Sequence, residues 1–340
     1  MMSSVVSRLL CLKPATFVCL PTVLGSIGQD LSKQTALPLH LHKHISSHGP
    51  ATHIVRWWKA TAATAAVVSG GGGAFAHCRR YAETVPYTDR IHLIVRSTKL
   101  ERRLGDHMFR HTMEMYGASK IVDPHSPESV RACRITSQLV RAIRRGLVVR
   151  SLKLGRSPEE ARRQTRHLDG HHWATVIVRD RGFRARVAPG GKIILYSGCF
   201  DLLKTDAEIA CAIAHEIAHV VARHGMRTLY WRKWWIPSRL RQYLRHRNEI
   251  EADHIGILLF AAAGYDPRVF PTTMEKILKP GPQEASDTHP SPKERMQILW
   301  QDKIMEGALE LYREVKAITS LCLTLKGLKT NPRLSEFSFG

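Results

Sequence analysis

The sequence predicts an α+β fold that is mainly helical and carries one small β-sheet. Three observations lead there. The 340 residues are 44% hydrophobic and 24% charged, a globular composition with chain enough for a large core. Two β-rich runs, 173–179 and 193–196, flank a Pro189-Gly190-Gly191 turn. From there to about residue 325 the apolar positions recur at helical spacing.

The elements follow in order. Residues 1–82 hold one acidic residue, Asp30, against eight Lys and Arg, and the start is Ser-rich. Organelle transit peptides have this composition, so residues 1–56 read as a mitochondrial transit peptide without fixed structure; chloroplast import and a plain basic tail are the alternatives. Residues 60–78 carry no formal charge but include four consecutive Gly, and Trp57 and Trp58 stand before them. Residues 57–82 are therefore either a weak membrane anchor or a linker. Residues 83–120 combine a short apolar run at 91–95 with a charged helical stretch. In residues 124–146, Val130, Cys133, Ile135, Leu139 and Ile143 mark an amphipathic helix. Residues 152–170 are charged, a loop or an exposed helix. Residues 329–340 show no pattern and form a flexible tail.

The formal charge is +22, which suits anionic surroundings such as a membrane surface. No recognition motif points to nucleic acid. Seven scattered Cys without a C-x-x-C pattern exclude a disulfide framework and a Cys-rich zinc module.

The chemistry concentrates in residues 205–225. Thr205 and Glu208 form a capping-box pattern, Ala, Ile and Val fill the interior, and Gly225 is the expected stop. His215 and His219 lie four apart on this helix and share a face, so both imidazoles can point at one ion. Glu216 sits beside the ion, placed to take a proton from a water held there. A charged triplet in an otherwise apolar helix is costly to bury without an ion. A catalytic zinc needs a third ligand, and a second helical segment offers Glu249, with Asp253 four residues on to hold a ligand imidazole by its other nitrogen. Glu251 is expected to point elsewhere and act structurally, and His254 is a minor ligand candidate.

His215-Glu216-x-x-His219 followed by Glu249-Ile-Glu-Ala-Asp253 resembles the signature of the HtpX-like and Ste-type zinc metallopeptidases. Pro189-Gly-Gly-Lys-Ile, Thr205-Asp-Ala-Glu-Ile-Ala, Ala262-Ala-Gly-Tyr-Asp-Pro267, Thr288-His-Pro-Ser291 and Thr84-Val-Pro-Tyr-Thr-Asp-Arg90 extend the likeness to the Oma-type mitochondrial inner-membrane endopeptidases in their plant-like form. The resemblance implies a zincin-like metallopeptidase domain over residues 83–328, with the active-site helix beside a small β-sheet. It implies one Zn2+ per chain and an ATP-independent endopeptidase acting on membrane proteins in quality control at the inner membrane. The partners implied are protein substrates and the lipid surface, with room for a homo-oligomer. It also raises His289, a candidate donor to the tetrahedral oxyanion, and Arg295, a candidate partner for an acid near the site. Such enzymes usually carry Asn-Ala-Phe before the Pro-Gly-Gly turn; here Arg184-Ala-Arg186 stands there, on a strand expected to flank the substrate. Residues 230–247 interleave six Lys or Arg with three Trp and no acid, suiting an anionic bilayer interface or a solvated helix. A non-proteolytic zinc-stabilised scaffold or chaperone is the rival reading, and the base Glu216 speaks against it.

Overall fold

The structure is a computed structural model that describes residues 79–233, 237–278 and 292–329. Residues 1–56, the 60–78 run and His289 lie outside these. Among the described residues no helix is long and apolar enough to cross a membrane.

The chain enters through an antiparallel ribbon of β1 (Ala82–Thr84) and β2 (Ile91–Leu93). α1 (Thr98–Tyr116) follows, its start fixed by Ser97, whose side chain accepts the Leu100 N–H. α2 (Pro127–Lys153) opens with the Ser126 cap and a Pro in the first turn, where a missing N–H costs nothing. It runs past the expected end at 146. Cys133, Ile135, Leu139 and Ile143 are buried, but Val130 is 53% exposed. Val130 lies in the first turn, before α2 reaches the core. The charged segment after it forms a short α3 (Pro158–Gln164).

The sheet comprises β3 (Ala174–Val178), β4 (Ala185–Ala188) and β5 (Lys192–Tyr196) in the order β3-β5-β4. β3 runs parallel to β5, with Thr175 opposite Ile193, and β4 runs antiparallel, with Val187 opposite Ile193. Every residue of β3 and β5 is buried, because both faces are covered. Ile177, Ile193 and Leu195 face the main core, while Val176, Val178, Ile194 and Tyr196 meet Phe109 of α1. Gly190 and Gly191 close the β4–β5 hairpin at φ 79° and 87°, where a side chain would be strained. β4 is left as an edge.

α4 (Gly198–Leu202) leads to α5 (Asp206–Val221), α6 (His224–Lys233), α7 (Ser238–Ala262), α8 (Val269–Leu278), α9 (Pro292–Leu299) and α10 (Asp302–Lys329). α5 and α7 are the most extensively packed pair, ringed by α2, α8 and α10, with β4 beside α5. They come close at Gly256, where an added Cβ would stand 3.4 Å from His215 Cα.

The break after α5 differs from the expected Gly225 stop. Arg223 turns the chain, at φ 56°. A non-glycine residue is strained there, and it is held by its own charge. Buried Arg223 donates through Nε to Glu101 (2.9 Å), through Nη1 to Glu83 (2.6 Å) and through Nη2 to the Arg96 carbonyl (3.0 Å). Gly225 instead sits inside α6 against Pro189.

Candidate metal centre

α5 is positioned by its cap. Thr205 Oγ1 accepts the Glu208 N–H (3.2 Å) and Glu208 Oε2 accepts the Thr205 N–H (2.9 Å), so the full capping box is present. Ile209, Ile213 and Ile217 are buried, which fixes the rotation of the helix. His215 and His219 then emerge together on the side facing α7.

Their Nε2 atoms lie 3.2 Å apart. Glu249 of α7 meets both: Oε2 is 3.4 Å from His215 Nε2 and Oε1 is 3.6 Å from His219 Nε2. A tetrahedral zinc held at about 2.1 Å needs neighbouring donor atoms about 3.4 Å apart. The three side chains therefore span the faces of such an ion, and they form one of two such His and carboxylate groups among the described residues.

The electrostatics agree. Burial pushes the Glu249 carboxyl up, but His219, His215 and Arg295 outweigh it and hold it well below the usual range. Burial pushes His215 down, yet Asp253 and Glu249 more than offset this and lift it to about 10. Burial takes His219 down to about 3. The ionised Glu249 thus demands a positive neighbour, which a proton on His215 or a cation between the imidazoles can supply, and His219 is held neutral with a lone pair free to bind one.

Asp253 lies one turn beyond Glu249. Its Oδ1 stands 3.0 Å from His215 Nδ1, at ion-pair distance without hydrogen-bond alignment. Arg295 of α9 grips the same carboxylate through Nε (2.6 Å) and Nη2 (2.7 Å), and its Nη1 reaches to 3.7 Å from Glu249. Glu216, one residue round the helix, is partly accessible and makes no hydrogen bond among the described residues. Its surroundings, chiefly by burial, push its carboxyl up to about 7. That suits a group that must gain and lose a proton near neutral pH.

The sequence model of peptidase family M48 matches residues 156–236 and 235–302, the stretch that carries α5 and α7. The mitochondrial metalloendopeptidase OMA1 of Arabidopsis thaliana is 31% identical across 81% of this chain and 71% of its own length. The chain belongs to peptidase family M48. The OMA1 metalloendopeptidase of Schizosaccharomyces pombe is 24% identical across 80% of this chain and 77% of its own length. The beta-barrel assembly-enhancing protease of Escherichia coli K12 matches 32% of this chain at 29% identity. This M48 chain is thus a protease, mainly helical with small sheets.

Some site residues escaped the sequence. His254 of this M48 domain is half-buried and stands apart from the His215 group, and desolvation lowers it to about 4. Glu251, expected only to be structural, is the hub of a second buried group with His92 and His224. His224 had no legible signal. Five residues past His219, it would lie about 140° round a continuous helix, and only the turn at Arg223 brings it back. His92 comes from β2, more than a hundred residues earlier. A cleft of about 800 Å³, lined among others by Glu83, Arg156 and His167, includes none of the His215, His219 and Glu249 group.

Proposed function

We propose that this chain is a zinc-dependent endopeptidase that cleaves membrane-associated proteins in quality control at the mitochondrial inner membrane. One observation carries the chemistry: His215, His219 and Glu249 converge at tetrahedral spacing, with the Glu216 carboxyl, unpaired among the described residues, beside them. When bound, zinc would supply Lewis acidity toward the scissile carbonyl and lower the pKa of the attacking water.

The chain's own residues do the rest. Glu216 takes the proton of the attacking water and returns it to the leaving amine, which its raised pKa favours. Arg295 and Asp253 hold the site rigid from the α9 side. β4 offers a free edge along α5, onto which an extended substrate can add as a further strand. Exposed Arg186 lies on that strand and has no ion-pair partner among the described residues. His289 remains the proposed oxyanion donor. The mitochondrial placement is supported by the acid-poor start and by relatives named as mitochondrial; the membrane placement is supported by the charge-free 60–78 run and the basic, Trp-rich 230–247 segment.

The test is Glu216→Gln, with zinc content and casein cleavage measured side by side. The amide keeps the shape but cannot accept the proton, so zinc should stay near one per chain while hydrolysis falls by about 10²–10⁴-fold. Activity within a few-fold of wild type would sink the mechanism. Carbonate extraction of isolated mitochondria should leave the full-length chain in the pellet; release by moderate salt alone would exclude the anchor.

A further inference from the structure

The buried group around Glu251 makes two different demands on its residues. Its three donor atoms could suit a second metal ion. The neighbours argue otherwise. Glu251 Oε2 stands 2.9 Å from His92 Nε2 and 3.1 Å from His224 Nε2, within hydrogen-bond reach of both. Two guanidinium groups also occupy the surroundings: Arg227 Nη1 is 2.9 Å from His92 Nε2, and Arg90 Nη1 is 3.4 Å from Glu251 Oε1. Positive charge is already in place, so a cation has no call to enter.

The other face of His224 decides the role. Its Nδ1 lies 3.0 Å from His219 Nδ1. One boundary condition then places every proton along the chain. With zinc between His215, His219 and Glu249, His219 Nε2 would give the ion its lone pair, which places its proton on Nδ1. That N–H donates to His224 Nδ1. His224 in turn carries its proton on Nε2 and donates it to the Glu251 carboxylate. Thr88 Oγ1, at 2.9 Å, donates to the other oxygen of Glu251. His224 is 2% exposed and Glu251 2%, so water does not compete for these bonds.

We propose that His224 and Glu251 are positioning residues for the metal ligand His219, forming an imidazole-to-carboxylate relay. It mirrors Asp253 behind His215, with one imidazole interposed. This rests on the zinc reading given above. The relay fixes the tautomer and ring angle of His219 and raises its basicity, as carboxylates behind metal-bound imidazoles do. It also explains the strained turn at Arg223, without which His224 could not face back toward His219. Loss of the relay should therefore weaken metal binding, although neither residue touches the ion.

The test compares two variants of the full-length chain at the same position. In His224→Gln, the amide oxygen can accept from His219 and the NH2 can donate to Glu251; in His224→Phe, the ring fills the space and does neither. Zinc affinity, read by competition with a chromophoric chelator, should fall about 10–100-fold in His224→Phe and stay within a few-fold in His224→Gln. The visible bands of the Co2+-loaded protein should shift in His224→Phe alone. Wild-type affinity and spectrum in folded His224→Phe, or equal losses in both variants, would overturn the relay. If His224→Phe does not fold, the wild type decides. Its Co2+ form should show a paramagnetically shifted His219 ring N–H that exchanges slowly with solvent, and fast exchange would overturn the relay. Failure of the wild type to bind zinc or Co2+ at all would instead overturn the metallopeptidase reading beneath it.

Discussion

Replacing Gly256 with Ala should loosen the metal centre from a distance. Gly256 is buried on α7, seven residues after Glu249 and so nearly two full turns along the same face. The added methyl would stand 2.9 Å from Phe270 Cζ and 3.4 Å from His215 Cα. Ordinary contact begins near the second value, so the ring must yield about 0.5 Å or α7 must move. Phe270 is fully buried and packs edge-on against Phe260, with centroids 5.6 Å apart, so the helix takes much of the shift. Overpacking costs about 1–3 kcal/mol, and removing a helical glycine returns up to about 1 kcal/mol. The net loss of up to about 2 kcal/mol should lower Tm by up to roughly 8 °C. Metal ligands need placement to about 0.5 Å, so zinc affinity should drop on the order of tenfold. Gly307→Ala on α10 is the control. Among the described residues nothing lies within 4 Å of its added Cβ, so Tm should rise by a few degrees with zinc affinity unchanged. Thermal unfolding and chelator competition on both variants settle it. Gly256→Ala behaving like Gly307→Ala would refute the claim that this glycine sets the α5–α7 distance.

Two further predictions concern stability. Arg223→Ala strands Glu101, which is 1% exposed, and breaking such a buried pair costs about 3–5 kcal/mol; urea unfolding should show this loss, with part recovered in the Arg223→Ala, Glu101→Gln double variant. Strict additivity would show that the pair is not coupled. His171 is buried, neither ring nitrogen has a hydrogen-bond partner among the described residues, and burial lowers it to about 3. Its native pKa is depressed, so its contribution is fully present above the unfolded value of about 6.5 and is lost as pH falls toward 3. Between pH 6.5 and 5 that amounts to about 2 kcal/mol, which metal-stripped His171→Phe should retain and metal-stripped wild type should lose; parallel pH curves would count against it.

Much of the site was legible because its signals are local. The Thr205 and Glu208 cap, the four-residue spacing of His215 and His219, and that of Glu249 and Asp253 each lie within one helix, where geometry follows from sequence separation. The Pro189-Gly190-Gly191 turn announced the hairpin in the same way, since its backbone angles exclude most other residues. The α+β class and the pairing of two histidines with a base were therefore determined by the sequence itself. The tertiary structure decided the rest. That Glu249 meets both imidazoles depends on how closely α7 approaches α5, and Gly256 leaves room for that approach. That Glu251, His224 and His92 share one buried cluster depends on a turn at Arg223, held by Glu83 and Glu101 from far earlier in the chain. No period or spacing carries such information, because a strained left-handed residue is stable only once distant charges have closed around it.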